Sequence, residues 1–236
     1  MIAFPDFTFA FQPIVNVTSG EIVSFEALVR GVNNEASWEI IQQVGATDLH
    51  RFDELLRSTA ITLAARLGLE CELNLNLMSG SIESSDSAIA STLAIAEQHN
   101  ISANRITLEI TEGEIINDYT RFAEAINKHR NSGLKIAIDD FGAGYAGLNL
   151  LAEFQPDTVK LDRSLVQNID TRGPRQAIVR GVKRTCEDLG IDIIAEGVET
   201  PGEYWWFREE GIELFQGYLL AKPAFEKLPL AFYRRT

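Results

Sequence analysis

The chain contains few cysteines and histidines, which limits the chemistry available to it. Its 236 residues include 2 cysteines and 3 histidines. Cys71 and Cys186 lack metal-ligand spacing and fall in segments with a buried or helical pattern, so we interpret them as core residues. The histidines are too dispersed to indicate a zinc site. Nothing in this cysteine usage indicates an oxidising compartment.

Basic residues are scarce relative to acidic ones, and long apolar runs are missing. The chain has 21 lysines and arginines against 34 aspartates and glutamates, a formal net charge of −13. Binding to DNA or RNA phosphates needs a basic face, so we expect no nucleic acid partner. No apolar run approaches the roughly 20 residues of a membrane helix, and the first residues lack the basic segment of a signal peptide. We therefore expect no membrane association and a cytoplasmic location.

The order of predicted elements indicates the fold class. Hydrophobic residues make up 45% of the chain without a Pro/Ser-rich linker, so we predict a single domain over residues 1–236. The runs FTFAFQPIVNV and EIVSFEALVR flank a short turn and predict an opening β-hairpin. Strands then alternate with helices up to a last predicted strand, ELFQGYLL. This alternation predicts an α/β fold whose parallel strands close into a barrel.

Seven of the predicted strands stop at a polar or acidic residue. In a parallel barrel the carboxyl ends of the strands meet at one face, where active sites lie. Carboxylates gathered there would repel one another unless divalent cations neutralised them, and carboxylate and amide oxygens suit Mg²⁺ or Mn²⁺. The strand-end residues are Glu26, Asn76, Glu109, Glu112, Asp139, Asp140, Lys160, Asp162, Glu196, Glu199 and Gln216.

Two adjacent carboxylates, Asp139 and Asp140, form the sharpest local motif. Adjacent acids at a strand end can bridge two cations, because one carboxylate can ligate both ions. A solvated turn that caps a helix is the alternative. The acids at neighbouring strand ends favour the two-cation interpretation.

Residues 142–147 spell G-x-G-x-x-G, the pattern of a dinucleotide-binding turn. The two aspartates directly ahead of it would repel a bare pyrophosphate, and the motif lies deep in the chain. We favour a mobile loop that lets the backbone approach the site. A plain turn is the alternative.

Three further side chains are candidates for ligand or phosphate contacts. Asn74 and Asn76 alternate in LNLNL and point the same way, and Asn76 is nearer the strand end, so we choose it as the ligand over a satisfied core amide. Lys160, alone in an apolar run, would stabilise a phosphoryl transition state or position a water, with a structural ion pair as the alternative. Arg30 follows Glu26 by four residues and could clamp a substrate phosphate.

At these residues the chain resembles the EAL-domain family of cyclic di-GMP phosphodiesterases. The resemblance runs over nearly the whole chain, from Phe11-Gln12-Pro13-Ile14 to Lys222-Pro223. It rests on EALVR at 26–30, LEITE at 108–112, DDFGAGY at 139–145, VKLD at 159–162, AEGVE at 195–199 and QGY at 216–218. Each segment is short, but the set in this order is highly specific, and it is similar to a free-standing EAL domain.

The resemblance implies a fold and a reaction. The fold is a TIM-like (β/α)8 barrel whose first strand runs antiparallel to the rest. Two ions, Mg²⁺ or Mn²⁺, support in-line attack of a water on one phosphorus of cyclic di-GMP, and a 3′-oxygen leaves to give linear pGpG. By resemblance, Glu26, Asn76, Glu109 and Asp139 hold one ion, and Asp139, Asp140 and Glu196 hold the second.

The resemblance also implies roles for the remaining site residues. Lys160 stabilises developing charge, Glu112 tethers the glycine loop, and Gln216 orients water or ligand, so that these three act in catalysis with Asp140 and Glu196. A homodimer through the helices near the glycine loop is expected. Substrate contacts are implied for Gln12, Arg30, Asp162 and Glu199.

Two departures from the family pattern concern loops. Ala146 and Gly147 stand where two serines are usual, and Met78 stands where serine is frequent. None of these is an implied ligand position, so the departures bear on loop behaviour, rate and dimer coupling. The alternatives to the phosphodiesterase are a cyclic di-GMP receptor that binds without turnover and a barrel enzyme acting on another phosphate ester.

Overall fold

An antiparallel hairpin opens the chain, as expected. The structure is a computed structural model that describes residues 4–78, 85–113, 119–144 and 147–231. Strand β1 (Phe7–Asn16) pairs antiparallel with β2 (Glu21–Gly31), with Gln12 opposite Glu26. The hairpin therefore places a glutamine and a glutamate side by side at one level of the sheet.

Strands and helices alternate after the hairpin. Two helices, α1 (Ser37–Ile41) and α2 (Leu49–Arg66), follow β2. The remaining strands are β3 (Glu72–Asn76), β4 (Ile106–Thr111), β5 (Lys135–Phe141), β6 (Thr158–Leu161), β7 (Asp192–Ala195), β8 (Leu214–Phe215) and β9 (Ala224–Phe225). The remaining helices are α3 (Ser85–Gln98), α4 (Tyr119–Arg130), α5 (Gly147–Phe154), α6 (Arg163–Val166), α7 (Gly173–Leu189) and α8 (Pro201–Glu209). Within the described ranges, no helix combines the length and the apolar character needed to cross a bilayer.

The first eight strands close into a ring. Strands β2 to β8 pair in chain order and in parallel, and β1 joins β8 to β2 by antiparallel pairing on both sides. The predicted TIM-like barrel with an antiparallel first strand is thus confirmed. Strand β9 pairs with β1 in addition, with Ala10 opposite Phe225.

Side-chain alternation along the strands separates the core from the site. In β4, Leu108 and Ile110 are fully buried members of the hydrophobic core, whereas Glu109 between them points to the opposite face of the strand. Strand β6 repeats the pattern, with Val159 and Leu161 in the core and Lys160 between them. Successive strand residues face opposite sides, so the apolar positions pack against the helices and the ionisable ones enter the barrel.

The last predicted strand is much shorter than expected. ELFQGYLL forms only the two-residue β8, and the chain then turns sharply at Gly217, whose φ is +158°. A Cβ on Gly217 would lie 2.1 Å from the carbonyl oxygen of Val198, so only glycine allows this approach. Gln216, directly before this turn, is buried, and its backbone N–H donates to the Ala195 carbonyl at 2.9 Å.

Candidate metal centre and active site

A single buried ammonium group lies among four carboxylates inside the barrel. The Nζ of Lys160 is 3.0 Å from Glu26 Oε2, 3.1 Å from Glu109 Oε1 and 3.0 Å from Asp139 Oδ1. Glu196 Oε2 lies 3.6 Å away. The Lys160 side chain has no solvent exposure. These five groups come from five different strands or strand ends, and the barrel brings them to one point.

The neighbourhood shifts the pKa values of these groups in opposite directions. Burial opposes the charge of Lys160, but the surrounding carboxylates outweigh it and raise the pKa of the ammonium well above its usual value. Burial raises the pKa of Glu109 to about 8, against the opposing charge of Lys160. Burial likewise raises the pKa of Glu196 well above normal. Burial alone would raise the pKa of Asp139, but the charge of Lys160 and the hydrogen bonds with Lys160, Glu196 and the Asp140 backbone together lower it.

The carboxylates form two overlapping groups that fit two cations. Glu26, Glu109 and Asp139 place ligand atoms within 4.8 Å of one another, and so do Asp139, Asp140 and Glu196. Asp139 belongs to both groups, which is the arrangement of a bridging ligand. One ammonium cannot neutralise this many acids, and an all-oxygen donor set suits Mg²⁺ or Mn²⁺. The residues present therefore fit a pair of divalent ions.

Asp140 adopts an unusual backbone conformation next to the shared ligand. Its φ is +54°, in the left-handed region that non-glycine residues seldom occupy. Burial, with the charges of Asp139 and Asp162 adding to it, raises the pKa of Asp140 to about 6. The turn directs Asp140 toward Asp139 and Glu196 at the strand end.

Two asparagines of β3 occupy different depths. Asn74 is buried, and its Nδ2 donates to Glu109 Oε1 at 2.8 Å. Asn76 is exposed at the end of β3, opposite Glu109 in register. Asn76, the residue chosen from the sequence as a ligand, lines a cleft together with Glu26 and Asp139. The contact of Asn74 with Glu109 was not predicted, although the LNLNL alternation already indicated that both side chains point inward.

The cleft at the barrel mouth has a volume of about 340 Å³. Arg30, expected to clamp a phosphate, lines it and donates from Nη1 to the Val29 carbonyl at 2.8 Å. Leu56 and Met78 give it an apolar wall. A larger cavity of about 470 Å³ lies at the amino ends of the strands, but its lining contains none of the strand-end carboxylates. We therefore place the chemistry at the smaller cleft.

The carboxylate of Glu112 holds the loop that follows Asp140. Its Oε2 accepts backbone N–H groups of Gly142 at 2.6 Å and Gly144 at 3.1 Å, and its Oε1 accepts that of Gly147 at 2.7 Å. Glu112 is only 4% exposed. Of the motif positions singled out in this loop, 145 and 146 lie outside the described residues.

Gln216 and Gln12 form a buried link to Glu26. The Nε2 of Gln216 donates to Glu26 Oε2 at 2.7 Å and to Gln12 Oε1 at 3.3 Å. Gln12, expected from the family resemblance to contact substrate, is itself buried and donates to the Ala221 carbonyl at 3.1 Å. In this structure the Gln12 amide therefore contacts protein groups. It accepts a hydrogen bond from Gln216, which in turn donates to Glu26.

Asp162 and Glu199 lie beside the carboxylate groups and belong to neither of them. Asp162 caps α6, its Oδ1 accepting the Ser164 N–H at 2.8 Å. Glu199 pairs with Arg163 at 2.9 Å, and both side chains are partly exposed. Their charges border the site, and the structure does not bring them to Lys160.

Sequence reasoning also missed a buried ion pair beside the cleft. Asp53 and Arg57, one turn apart on α2, are each 2% exposed as side chains and lie in contact. Both line the cleft with Asn76 and Met78. The available signal was an acid and a base spaced i, i+4 on a helix face that also carries Phe52 and Leu56.

The sequence matches the EAL domain family over residues 2–223. A solved structure described as a standalone versatile EAL protein from Vibrio cholerae O395 in its c-di-GMP bound form is 42% identical, with a TM-score of 0.93 and 98% of each chain covered. BlrP1 of Klebsiella pneumoniae, solved at pH 9.0 as a complex with manganese and cyclic diGMP, is 38% identical with a TM-score of 0.90, covering 99% of this chain and 60% of that one.

Curated relatives match the chain over part of their own length. The blue light- and temperature-regulated antirepressor BluF of Escherichia coli (strain K12) is 36% identical over 222 residues, which are 94% of this chain and 55% of BluF. A relative named cyclic di-GMP phosphodiesterase, NbdA of Pseudomonas aeruginosa, is 29% identical over 94% of this chain and 29% of its own length. The chain thus spans about half or less of these relatives.

The raised pKa values predict how the metal-free protein responds to pH. Glu109 has a pKa of about 8 in the folded state against an ordinary value of 4.5, so the folded state keeps a proton that the unfolded chain releases. Between these two values the folded state binds more protons, and the free energy of unfolding should fall as pH rises from about 5 to 8. Glu196 and Asp140 act in the same direction. Asp139, whose pKa is lowered, has the opposite effect: it makes the free energy of unfolding fall as pH drops below its ordinary pKa of 3.8.

Urea unfolding in EDTA at several pH values between 5 and 8 measures this slope. Glu109→Gln removes one titrating group and should flatten the slope. Stability that stays level or rises over this range in the unsubstituted protein would contradict the charge assignment.

Glu112→Gln should weaken the glycine loop while the barrel stays folded. An amide offers one acceptor oxygen where the carboxylate accepts three N–H groups, and hydrogen bonds to a charged group contribute about 1.5–3 kcal/mol. We expect a stability loss of about 2 kcal/mol and faster amide hydrogen exchange at Gly142, Gly144 and Gly147. Glu39→Gln, at a carboxylate that accepts the Ala36 N–H, is the control and should leave exchange in this loop unchanged. Equal exchange in both variants would show that Glu112 does not hold the loop.

Proposed function

The chain belongs to the EAL domain family, and on that premise we propose that it is a metal-dependent phosphodiesterase that hydrolyses cyclic di-GMP to linear pGpG. The observation that carries this proposal is the pair of carboxylate groups sharing Asp139 around Lys160 at the carboxyl ends of the strands. Support also comes from the Vibrio cholerae relative bound to c-di-GMP and from NbdA, whose name states this activity.

We propose that two ions, Mg²⁺ or Mn²⁺, occupy the two carboxylate groups. Glu26, Asn76, Glu109 and Asp139 would hold the first ion, and Asp139, Asp140 and Glu196 the second. When bound, such ions lower the pKa of a water and neutralise phosphate oxygens. Manganese together with cyclic diGMP in the BlrP1 structure supports this choice of metal and ligand.

The side chains of the protein supply fixed charge and orientation. The Lys160 ammonium is held in place by its carboxylate neighbours and would face charge that develops on the phosphoryl oxygens. Glu112 fixes the glycine loop beside Asp140, and Gln216 fixes the Glu26 carboxylate. Buried groups with locked positions need no reorganisation when substrate arrives, which is the main source of electrostatic catalysis.

We assign substrate contacts to Arg30, which lines the cleft, and to Asp162 and Glu199, which lie beside the carboxylate groups. Arg30 would pair with a phosphate, and Asp162 and Glu199 would accept hydrogen bonds from the bases. Gln12 would act through Gln216, from which it accepts a hydrogen bond. Hydrolysis adds a water to one phosphorus while one 3′-oxygen leaves with a proton, so that cyclic di-GMP opens to pGpG. We further propose action in the cytoplasm as a homodimer, without DNA, RNA or membrane as a partner.

A second candidate function is binding of cyclic di-GMP without turnover. The observation favouring it is that BluF, at 36% identity, is named an antirepressor. A receptor of this kind would use the same cleft and would transmit binding to a partner protein. Calorimetry with cyclic di-GMP, combined with chromatography of the mixture after incubation, separates the two functions.

Asp139→Asn should abolish turnover while the protein stays folded. The substitution removes a charge from both carboxylate groups at once, so we expect a loss of at least about 100-fold in turnover, the upper end of the effect of a perturbed metal site. The assay is incubation of cyclic di-GMP with Mg²⁺ or Mn²⁺, followed by chromatographic detection of pGpG.

The matched control is Glu72→Gln. Glu72 is a half-buried carboxylate at the amino end of β3 that pairs with Lys135, on the opposite face of the barrel. Its loss should leave turnover unchanged. If Asp139→Asn kept full turnover, the assignment of Asp139 would be wrong, and if the unsubstituted protein bound cyclic di-GMP without product, the receptor function would replace the phosphodiesterase.

A further inference from the structure

A buried network on α2 contacts the chain on both sides of residues 79–84. The Arg57 guanidinium pairs with the Asp53 carboxylate, and its Nε donates to Thr92 Oγ1 at 2.9 Å. Thr92 belongs to α3, which follows those residues in the chain. On the other side, Asp53 Oδ1 accepts the backbone N–H of Met78 at 3.4 Å. Arg57 therefore joins three segments: α2, the residues directly after β3, and α3.

The burial of this ion pair is weak evidence that its charges stabilise the fold. Arg57 and Asp53 are each 2% exposed as side chains, and replacing a buried ion pair by a well-packed apolar pair of similar volume is often neutral or stabilising. In some proteins a buried polar group fixes one arrangement of the chain, as a buried asparagine fixes the register of a coiled coil, and we infer such a role here. The arrangement held here is the path of the chain through Leu77 and Met78, directly after β3.

The residue whose position depends on that path is Asn76. It ends β3 and is exposed, so core packing does not fix its side chain. Leu77, the next residue, is held in place because its backbone N–H donates to the Glu109 carbonyl at 2.9 Å. Met78, the residue after Leu77, is held by its backbone N–H, which donates to Asp53 Oδ1. The two residues that follow Asn76 are thus held by one contact with β4 and one with α2.

We propose that Arg57 is a positioning residue for the first metal. It orients the Asp53 carboxylate, which holds the Met78 backbone, and this keeps the Asn76 amide directed at Glu26, Glu109 and Asp139. The proposal rests on the proposed function only in taking this group as a metal site. Groups that orient a ligand from behind typically change metal affinity 10- to 100-fold when they are lost.

The test measures Mn²⁺ binding directly, by electron paramagnetic resonance of free Mn²⁺ during titration, without substrate. Arg57→Lys keeps the charge but cannot contact Asp53 and Thr92 together through a planar fork. We expect it to weaken Mn²⁺ binding about tenfold. Thr92→Val leaves the ion pair intact and removes the hydroxyl that accepts from Arg57 and donates to the Ala88 carbonyl within α3. It should fold even if Arg57→Lys does not, and it should weaken Mn²⁺ binding about threefold, a smaller share of the same effect.

Arg105→Lys is the matched control, because Arg105 anchors the other end of the same strand. Its guanidinium donates to the carbonyls of Leu69 and Cys71, just before β3. The substitution removes comparable hydrogen bonds at the far end of β3, and Mn²⁺ affinity should stay within about twofold of the unsubstituted protein. A loss equal to that of Arg57→Lys would mean that β3 transmits any disturbance, and would overturn a specific role for Arg57.

A double-substitution cycle with Asn76→Ala decides whether Arg57 acts through Asn76. If it does, Arg57→Lys should change Mn²⁺ affinity by less than about twofold once the amide is gone, because coupled residues are not additive. A full tenfold loss in both backgrounds would overturn the proposal. So would unchanged Mn²⁺ affinity in Arg57→Lys with a raised KM for cyclic di-GMP, which would make Arg57 a substrate contact.

The outcome is independent of turnover. If the unsubstituted protein binds Mn²⁺ and Arg57→Lys weakens that binding through Asn76, the positioning role stands even where no pGpG forms. If pGpG forms at the normal rate with unaltered Mn²⁺ affinity in Arg57→Lys, the phosphodiesterase stands and the positioning role does not.

Discussion

The contact between the Lys160 ammonium and its ring of carboxylates is the interaction on which the rest of the site depends. An isolated ammonium or carboxylate inside a barrel would be heavily penalised by the loss of water, and each is tolerated here because the other is present. The balance is incomplete, since one positive charge faces four acids. Without metal, burial favours the protonated forms of Glu109 and Glu196, and the carboxylate groups fit divalent cations that would replace those protons.

The barrel provides the geometry for this contact through strand alternation and ring closure. Polar residues at alternate positions of β4 and β6 point inward, while their neighbours pack under the helices. Around this inner layer, secondary contacts restrict the freedom of each acid: Asn74 holds Glu109, Gln216 holds Glu26, and the backbone turn at Asp140 fixes its carboxylate near Asp139. The acids therefore have defined positions before any ion arrives, which is the basis of preorganised electrostatics.

Much of this arrangement could be predicted from the sequence, because a polar residue that ends an apolar strand has a known place in a parallel barrel. Glu109, Asp139 and Lys160 were located in this way. The contacts between strands were less accessible: the alternation in LNLNL gives the direction of Asn74 but not its depth, and its partner is 35 residues away. The early end of β8 depends on the close approach of Gly217 to Val198, which has no local signature. The Asp53–Arg57 pair had a signal in its helical spacing, but its partner on α3 is set by tertiary packing.

The antiparallel first strand has a consequence for how the molecule is made. β1 pairs with β2 at once, but its other edge waits for β8, with Val15 opposite Phe215. During synthesis from the amino terminus, the ring therefore stays open until β8 has been synthesised, and such sequence-distant pairings form late. Glu26 is synthesised early, yet the glutamine that orients it emerges only at position 216. A nascent chain thus carries its acids unassembled until the segment around Gln216 has been synthesised.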